Sequence, residues 1–148
     1  MTYHYIPYKS DSDFEIKVFK EIIKFENIKS KSLEVYFNGD ENLTEFKIKC
    51  YKIDNNIKEY IGFYVPDFLI ISRKDNKIDK VLILETKGEI YSHDPKFQLK
   101  KLWTENFFTN INNKQYKKFD YLYVEESLSD NDRINLIINK INEFFEEV

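Results

Sequence analysis

The chain has 148 residues, with 23 Lys+Arg against 26 Asp+Glu for a formal net charge of -3, and 42% of its residues are hydrophobic and 17% aromatic. That length suits one domain, residues 1–148, with room for a real core, and the 33% charged fraction suits a water-facing surface. A single cysteine, Cys50, excludes an intrachain disulfide or a cysteine zinc site, and three glycines, Gly39, Gly62 and Gly88, leave neither a dinucleotide fingerprint nor a P-loop. His4 and His93 occur without an HExxH pattern, and no GxSxG elbow is present. Apolar runs such as Val81 to Leu84 are far too short to cross a bilayer, and the opening MTYHYIPYKS has no secretory apolar core, so no membrane partner and a cytoplasmic location are expected. Chemistry is left to carboxylates, lysines and an oxygen-preferring metal.

In chain order, SDSDFEIKVFKEIIKFENIK opens with capping candidates and repeats Phe14, Val18, Ile22 and Phe25 at helical spacing, which predicts an amphipathic helix over residues 12–29. From Leu33 to Lys87 the texture is that of strands: LEVYF, then EFKIKCYKI, a polar turn at Asp54-Asn55-Asn56, and IKEYIGFYV. After Pro66 come DFLIIS, a second polar turn in RKDNK, and the run VLIL leading into ETKG. Residues 94–112 read as a helix, FDYLYVEE as a strand, and SDNDRINLIINKINEFFEEV as a capped C-terminal helix. No internal repeat or linker is evident. The expected order is α, a run of strands, α, β, α.

Pro66-Asp67 and Glu85-Thr86-Lys87 stand eighteen positions apart. If residues 67–87 form an antiparallel hairpin turning at Asp75-Asn76-Lys77, paired positions sum to 152 and Asp67 lies opposite Glu85. A slip of one residue would undo that pairing. Alternation then sets Glu85 and Lys87 on one face, Leu84 and Thr86 on the other. VLIL is apolar at consecutive positions, as in a strand covered on both faces, and charge at the end of such a strand is costly unless paired, solvated or bound to metal. A bare Glu-x-Lys triplet is most simply a solvated strand end. Its combination with Pro-Asp, the symmetric hairpin and the apolar run lowers that reading.

The pattern Glu15, Pro66-Asp67, Glu85-x-Lys87 resembles the PD-(D/E)XK nuclease superfamily, and the strings SDSDFE, YVPDFLI and LILETKGE resemble the nuclease domain of type III restriction subunits and the phage junction-resolving endonuclease. The resemblance spans roughly residues 8–125. It implies a restriction-endonuclease-like α/β core, a central mixed sheet flanked by helices in α-βββ-α-β-α order. It also implies a metal-dependent endodeoxyribonuclease using Mg²⁺ or Mn²⁺. Asp67, Glu85 and the main-chain carbonyl of Thr86 would be metal ligands, Glu15 would complete the site, and Lys87 would orient the attacking water or stabilise phosphate charge. Glu21 and Glu26 are competing helix carboxylates, read as solvent-facing. The resemblance further implies DNA as partner, with a homodimer or a recognition or motor subunit. A junction-resolving or RNA-cleaving enzyme of the same superfamily and a catalytically silent nucleic-acid-binding module are the alternatives.

Between Asp94 and Lys118, six lysines face two acidic residues. Of these, Lys96, Lys100 and Lys101 are the candidates for phosphate contacts; the resemblance also implies Gln98 as an auxiliary polar group near the site. Trp103, Phe107 and Phe108 are read as core rather than as base-stacking groups, Tyr64 as packing, His93 as part of a loop and helix cap, His4 as lying near a flexible terminus, and Cys50 as an inert buried thiol. The net charge argues only weakly against nucleic acid. Residues 120–148 carry eight Asp+Glu and two Lys+Arg, a charge of -6, so residues 1–119 carry +3.

Overall fold

A computed structural model describes residues 2–4, 13–37, 46–87 and 94–146. Its centre is a five-stranded mixed sheet in the order β1 (Thr2–His4), β2 (Glu34–Phe37), β5 (Phe68–Lys74), β6 (Lys77–Lys87), β7 (Phe119–Glu125). The β1–β2 and β6–β7 pairs are parallel, while β2–β5 and β5–β6 are antiparallel. Strands β3 (Ile48–Asp54) and β4 (Ile57–Tyr64) form a separate two-stranded sheet. The run of strands expected between the first two helices is thus divided between two sheets. His4 lies in a strand by its backbone, and its side chain is outside the described residues.

Two-sided burial explains the unbroken apolar runs of β5 and β6. Phe68, Ile70, Leu82 and Leu84 enter one core with Phe14, Val18 and Ile22 of α1 (Asp13–Ile22), Ile28 of α2 (Glu26–Ser30), and Ile137 and Ile141 of α5 (Asp130–Phe144). Leu69, Ile71, Val81 and Ile83 enter a second core with Ile48, Cys50 and Tyr64 of the small sheet and Phe97 and Trp103 of α3 (Pro95–Trp103). Period-2 alternation therefore sorts each strand between two cores, and helices α1, α2 and α5 cover the face that α3 and the β3–β4 sheet leave open.

The helix expected over 12–29 is interrupted. Phe25 is extended at φ -65, ψ 133, between α1 and α2, and this break lets Ile22, Phe25 and Ile28 all enter the core. The helix expected over 94–112 is likewise composite: α3, a π-helical segment Thr104–Phe108, and α4 (Thr109–Asn112). Asp94 caps α3 by accepting from the Lys96 amide, and Ser129 caps α5 by accepting from the Asp132 amide.

The β5–β6 hairpin turns on two residues, Asp75 and Asn76, both at positive φ (54 and 64), not on the three expected. That turn alone would give pairs summing to 151, as Lys74↔Lys77 and Arg73↔Ile78 do. An irregularity between Ser72 and Arg73 restores 152 from Ser72↔Lys80 through Phe68↔Leu84. The register at the far end is therefore the expected one, reached by a tighter turn plus a bulge.

Candidate active site

Two carboxylates meet where β5 begins and β6 approaches its end. Asp67 and Glu85 are 7% and 1% exposed, a degree of enclosure that side chains of this type tolerate only with hydrogen-bond partners. The Asp67 amide donates to Glu85 Oε2 at 3.2 Å, and the Thr86 amide donates to Asp67 Oδ2 at 3.0 Å. Each carboxylate thus receives a backbone N–H from the opposite strand, which extends the pairing by one step beyond Phe68↔Leu84. The Thr86 hydroxyl adds a bond to Asp67 Oδ2 at 2.8 Å. Pro66 favours extended backbone at Val65, so the chain leaves β4 at Tyr64 and delivers Asp67 without an intervening turn of helix.

Glu85 is also held by phenols that the sequence reading did not assign to the site. The Tyr64 hydroxyl donates to Glu85 Oε2 at 2.6 Å, and the Tyr121 hydroxyl lies 3.3 Å from that of Tyr64. Because the single Tyr64 proton is given to the carboxylate, Tyr121 is the donor to Tyr64, and a directed relay Tyr121→Tyr64→Glu85 results. Burial, reinforced by the Glu85 charge, raises both phenol pKa values above their ordinary range. The sequence assigns Tyr64 to packing. Burial in the second core does make it a packing residue, but its hydroxyl positions Glu85. Its place at the end of a strand three residues before Asp67 was the available signal, whereas nothing local in FDYLYVEE distinguishes Tyr121.

The remaining candidates are distributed around this pair. Glu15 lies half-buried on α1, next to Phe14 of the first core. Lys87 pairs by its backbone with Glu125 of β7, while its side chain, Gly88 and His93 lie outside the described residues. On α3, Lys96 and Gln98 are exposed, and the Lys100 ammonium faces the backbone of Gly62. Lys101 is beside the site: its ammonium lies 5.2 Å from the ring centroid of Tyr123, the residue paired with Glu85 across β6–β7, and 3.1 Å from Glu105. Glu21, expected to face solvent, instead pairs with Arg133 at 2.6 Å, whereas Glu26 is exposed as expected. Cys50 is fully buried and its pKa is pushed up to about 11, chiefly by burial, in keeping with an inert thiol. Trp103 is core, Phe108 is half-buried, and Phe107 is exposed.

The donor chemistry of Asp67 and Glu85, hard carboxylate oxygens on two adjacent strands, is of the kind that Mg²⁺ or Mn²⁺ takes. Among the described residues no group of three or more His, Cys, Asp or Glu side chains is arranged around one ion position. No helix among the described residues is long and apolar enough to cross a membrane. Comparison with protein-family models, with curated proteins and with solved structures gives no match to this chain.

Proposed function

We propose that this chain is a metal-dependent nuclease of the restriction-endonuclease-like type, hydrolysing phosphodiester bonds in DNA. The observation that carries the reading is the reciprocal clamp of Asp67 and Glu85 at the same end of two central strands, the register at which the motif requires them to meet. An accidental Glu-x-Lys at a solvated strand end has no reason to bury its glutamate at 1% exposure and hold it with a phenol and an amide.

In this reading Asp67 and Glu85 hold Mg²⁺ or Mn²⁺ with the Thr86 carbonyl as a further ligand, while Glu15 is not grouped with them around one ion position. Bound there, the ion supplies Lewis acidity to the scissile phosphate. The chain's own groups do the positioning. Tyr64, itself held by Tyr121, fixes the rotamer of Glu85, and the Thr86 amide and hydroxyl fix that of Asp67. Lys87 orients the attacking water or places positive charge where negative charge develops on the phosphate. Lys101, beside Tyr123, is the α3 lysine best placed for a flanking phosphate.

The test is incubation with supercoiled plasmid, four-way junction, linear duplex, single-stranded DNA and tRNA, each with Mg²⁺, Mn²⁺ or EDTA. Cleavage of a DNA substrate that requires the metal and disappears in both Asp67→Ala and Lys87→Ala is expected. Cleavage that survives EDTA would overturn the metal reading, and full activity in Lys87→Ala would remove that lysine from the mechanism.

A further inference from the structure

From the π-helical segment across the β3–β4 sheet runs a row of aromatic rings that the second core absorbs only in part, at Trp103 and Tyr51. Phe107 stacks on Trp103 at 4.8 Å and 15°, Trp103 meets Tyr51 at 5.0 Å, Tyr51 meets Tyr60 at 5.7 Å, and Tyr60 meets Phe63 at 6.2 Å. Each member touches the next, so the row runs unbroken from the π-helical segment across the small sheet. Its buried middle is Trp103, at 7% exposure, while Phe107, Tyr60 and Phe63 are 36%, 52% and 42% exposed. A row serving only the core would not leave its ends and flank in solvent.

Lysines are set into this row. The Lys58 ammonium lies 4.1 Å from the Tyr51 ring centroid and 5.3 Å from that of Trp103, and the Lys47 ammonium lies 5.9 Å from that of Phe63. Lys49 and Lys52 belong to the same hairpin, whose residues 46–64 hold four lysines against Asp54 and Glu59. Exposed π-faces interleaved with ammonium groups match a polyanion that carries flat bases. Rings stack on unpaired bases regardless of sequence, while lysines follow the phosphates. In a duplex the base faces are already stacked on each other, so duplex can use the lysines but not the rings.

We infer that the aromatic and lysine row of β3–β4 and the π-helical segment is a binding surface for single-stranded DNA. The row ends at the strand end that carries Tyr64, whose hydroxyl bonds Glu85: Phe63 immediately precedes it, its exposed ring on the opposite face of β4 from the buried Tyr64, and Tyr60 stands four strand residues before Tyr64, about 13 Å at the usual strand rise. A strand held on this row and passing round the end of β4 would be delivered to Asp67 and Glu85, giving the substrate an unpaired arm near the point of cleavage. That delivery rests on the nuclease reading, whereas the binding surface does not.

The deciding measurement is fluorescence anisotropy of a labelled oligothymidylate with the full chain in EDTA, where no metal-dependent cleavage intervenes. Trp103, the sole tryptophan, gives a second optical signal from inside the row. Tyr60→Leu, Phe63→Leu and Phe107→Leu keep apolar bulk but lose the π-face, and each should weaken binding about five- to a hundredfold. Lys58→Gln should weaken binding and flatten its salt dependence, while Lys29→Gln, exposed on α2 across the central sheet, should bind as wild type does. Duplex of equal length competing as well as the single strand would overturn the inference, as would wild-type affinity in the Tyr60→Leu/Phe63→Leu double variant. An oligouridylate bound more tightly than oligothymidylate would transfer the surface to RNA. Unchanged oligonucleotide binding with loss of a dimer in the double variant would assign it to a second copy of the chain. Retained single-strand binding without cleavage of any substrate would sink the nuclease reading and leave this one standing.

Discussion

On one face of the central sheet, the guanidinium of Arg133 is held by Glu21 and Asp130; on the other, the carboxylate of Glu85 accepts from the Tyr64 phenol and the Asp67 amide. Arg133 gives a bidentate bond to Glu21, at 3.1 and 2.6 Å, and a further bond to Asp130 at 2.8 Å. It also lies 5.5 Å from the Phe14 ring centroid. Opposite formal charges meet there, and the group closes α5 onto α1. At Glu85 and Asp67, hydroxyls and amides donate to the carboxylate oxygens and orient them. Similar burial thus serves two ends: the Arg133 group ties α5 to α1 through opposite charges, and the hydroxyls and amides at Glu85 and Asp67 fix the direction in which two carboxylates point.

The largest effect that separates the two is expected from Glu85→Gln. An amide has the shape of the carboxylate and can still accept from Tyr64 and Asp67, so thermal unfolding should change little. Metal-dependent cleavage should fall about a hundredfold or more, the order of magnitude for losing a preorganised electrostatic group. A large drop in Tm with activity retained would show that Glu85, like Arg133, serves the fold.

The converse change on the other face is Arg133→Met. It leaves Glu21 half-buried without its guanidinium and should cost about 2–3 kcal/mol in urea unfolding, below the ~3–5 kcal/mol of a fully buried pair because Glu21 and Asp130 keep contact with water. Cleavage by the folded fraction should be unchanged within about twofold, since Arg133 packs in the opposite core from Glu85. A loss of activity exceeding the loss of folded protein would break the separation of the two faces.

These residues differ in how readable they are from sequence. Asp67 opposite Glu85 follows from turn symmetry and strand alternation, and it holds although the turn is one residue shorter than expected, because the bulge near Ser72 restores the register. The fold class is legible for a similar reason: consecutive apolar runs in β5 and β6 demand cover on both faces. Which sheet a strand joins is not written in its own pattern, and so the separation of β3–β4 was invisible. Arg133 and Glu21 lie on helices 112 positions apart, and no local period signals their pairing. Tyr121 belongs to the site only because β7 runs parallel beside β6 and its ring turns toward Tyr64. The interruption of the first helix at Phe25 is a tertiary effect, overriding a helical spacing that continues through it.

A smaller effect is expected from Tyr64→Phe, which keeps the ring in its core and removes one charge-assisted hydrogen bond. The loss should be about 1–2 kcal/mol in stability, with cleavage reduced about tenfold, as for other residues that orient a ligand from behind. Tyr121→Phe should do less, since it removes the longer bond and leaves Tyr64 donating to Glu85. Equal effects from both would show that the relay acts as one unit, whereas no effect from Tyr64→Phe would mean that the amide of Asp67 suffices to hold Glu85.

The smallest effect concerns Cys50, in the same core as Tyr64. Burial raises its pKa from 9.0 to about 11, against the opposing influence of Lys100 and the Thr104 side chain. The folded state therefore holds the thiol proton more tightly than the unfolded chain does. This contribution is fully present below pH 9 and is lost as pH rises toward about 11. Comparing urea unfolding of wild type with Cys50→Val across that interval, wild type should lose on the order of 1 kcal/mol relative to the variant, in addition to any drift common to both. Parallel curves would show that this core accepts a thiolate as readily as water does. A widening gap would show that the core shared by Cys50 and Tyr64 does not accept negative charge in general, so that a carboxylate at its edge depends on donors aimed at it, as Tyr64 and the Asp67 amide are aimed at Glu85.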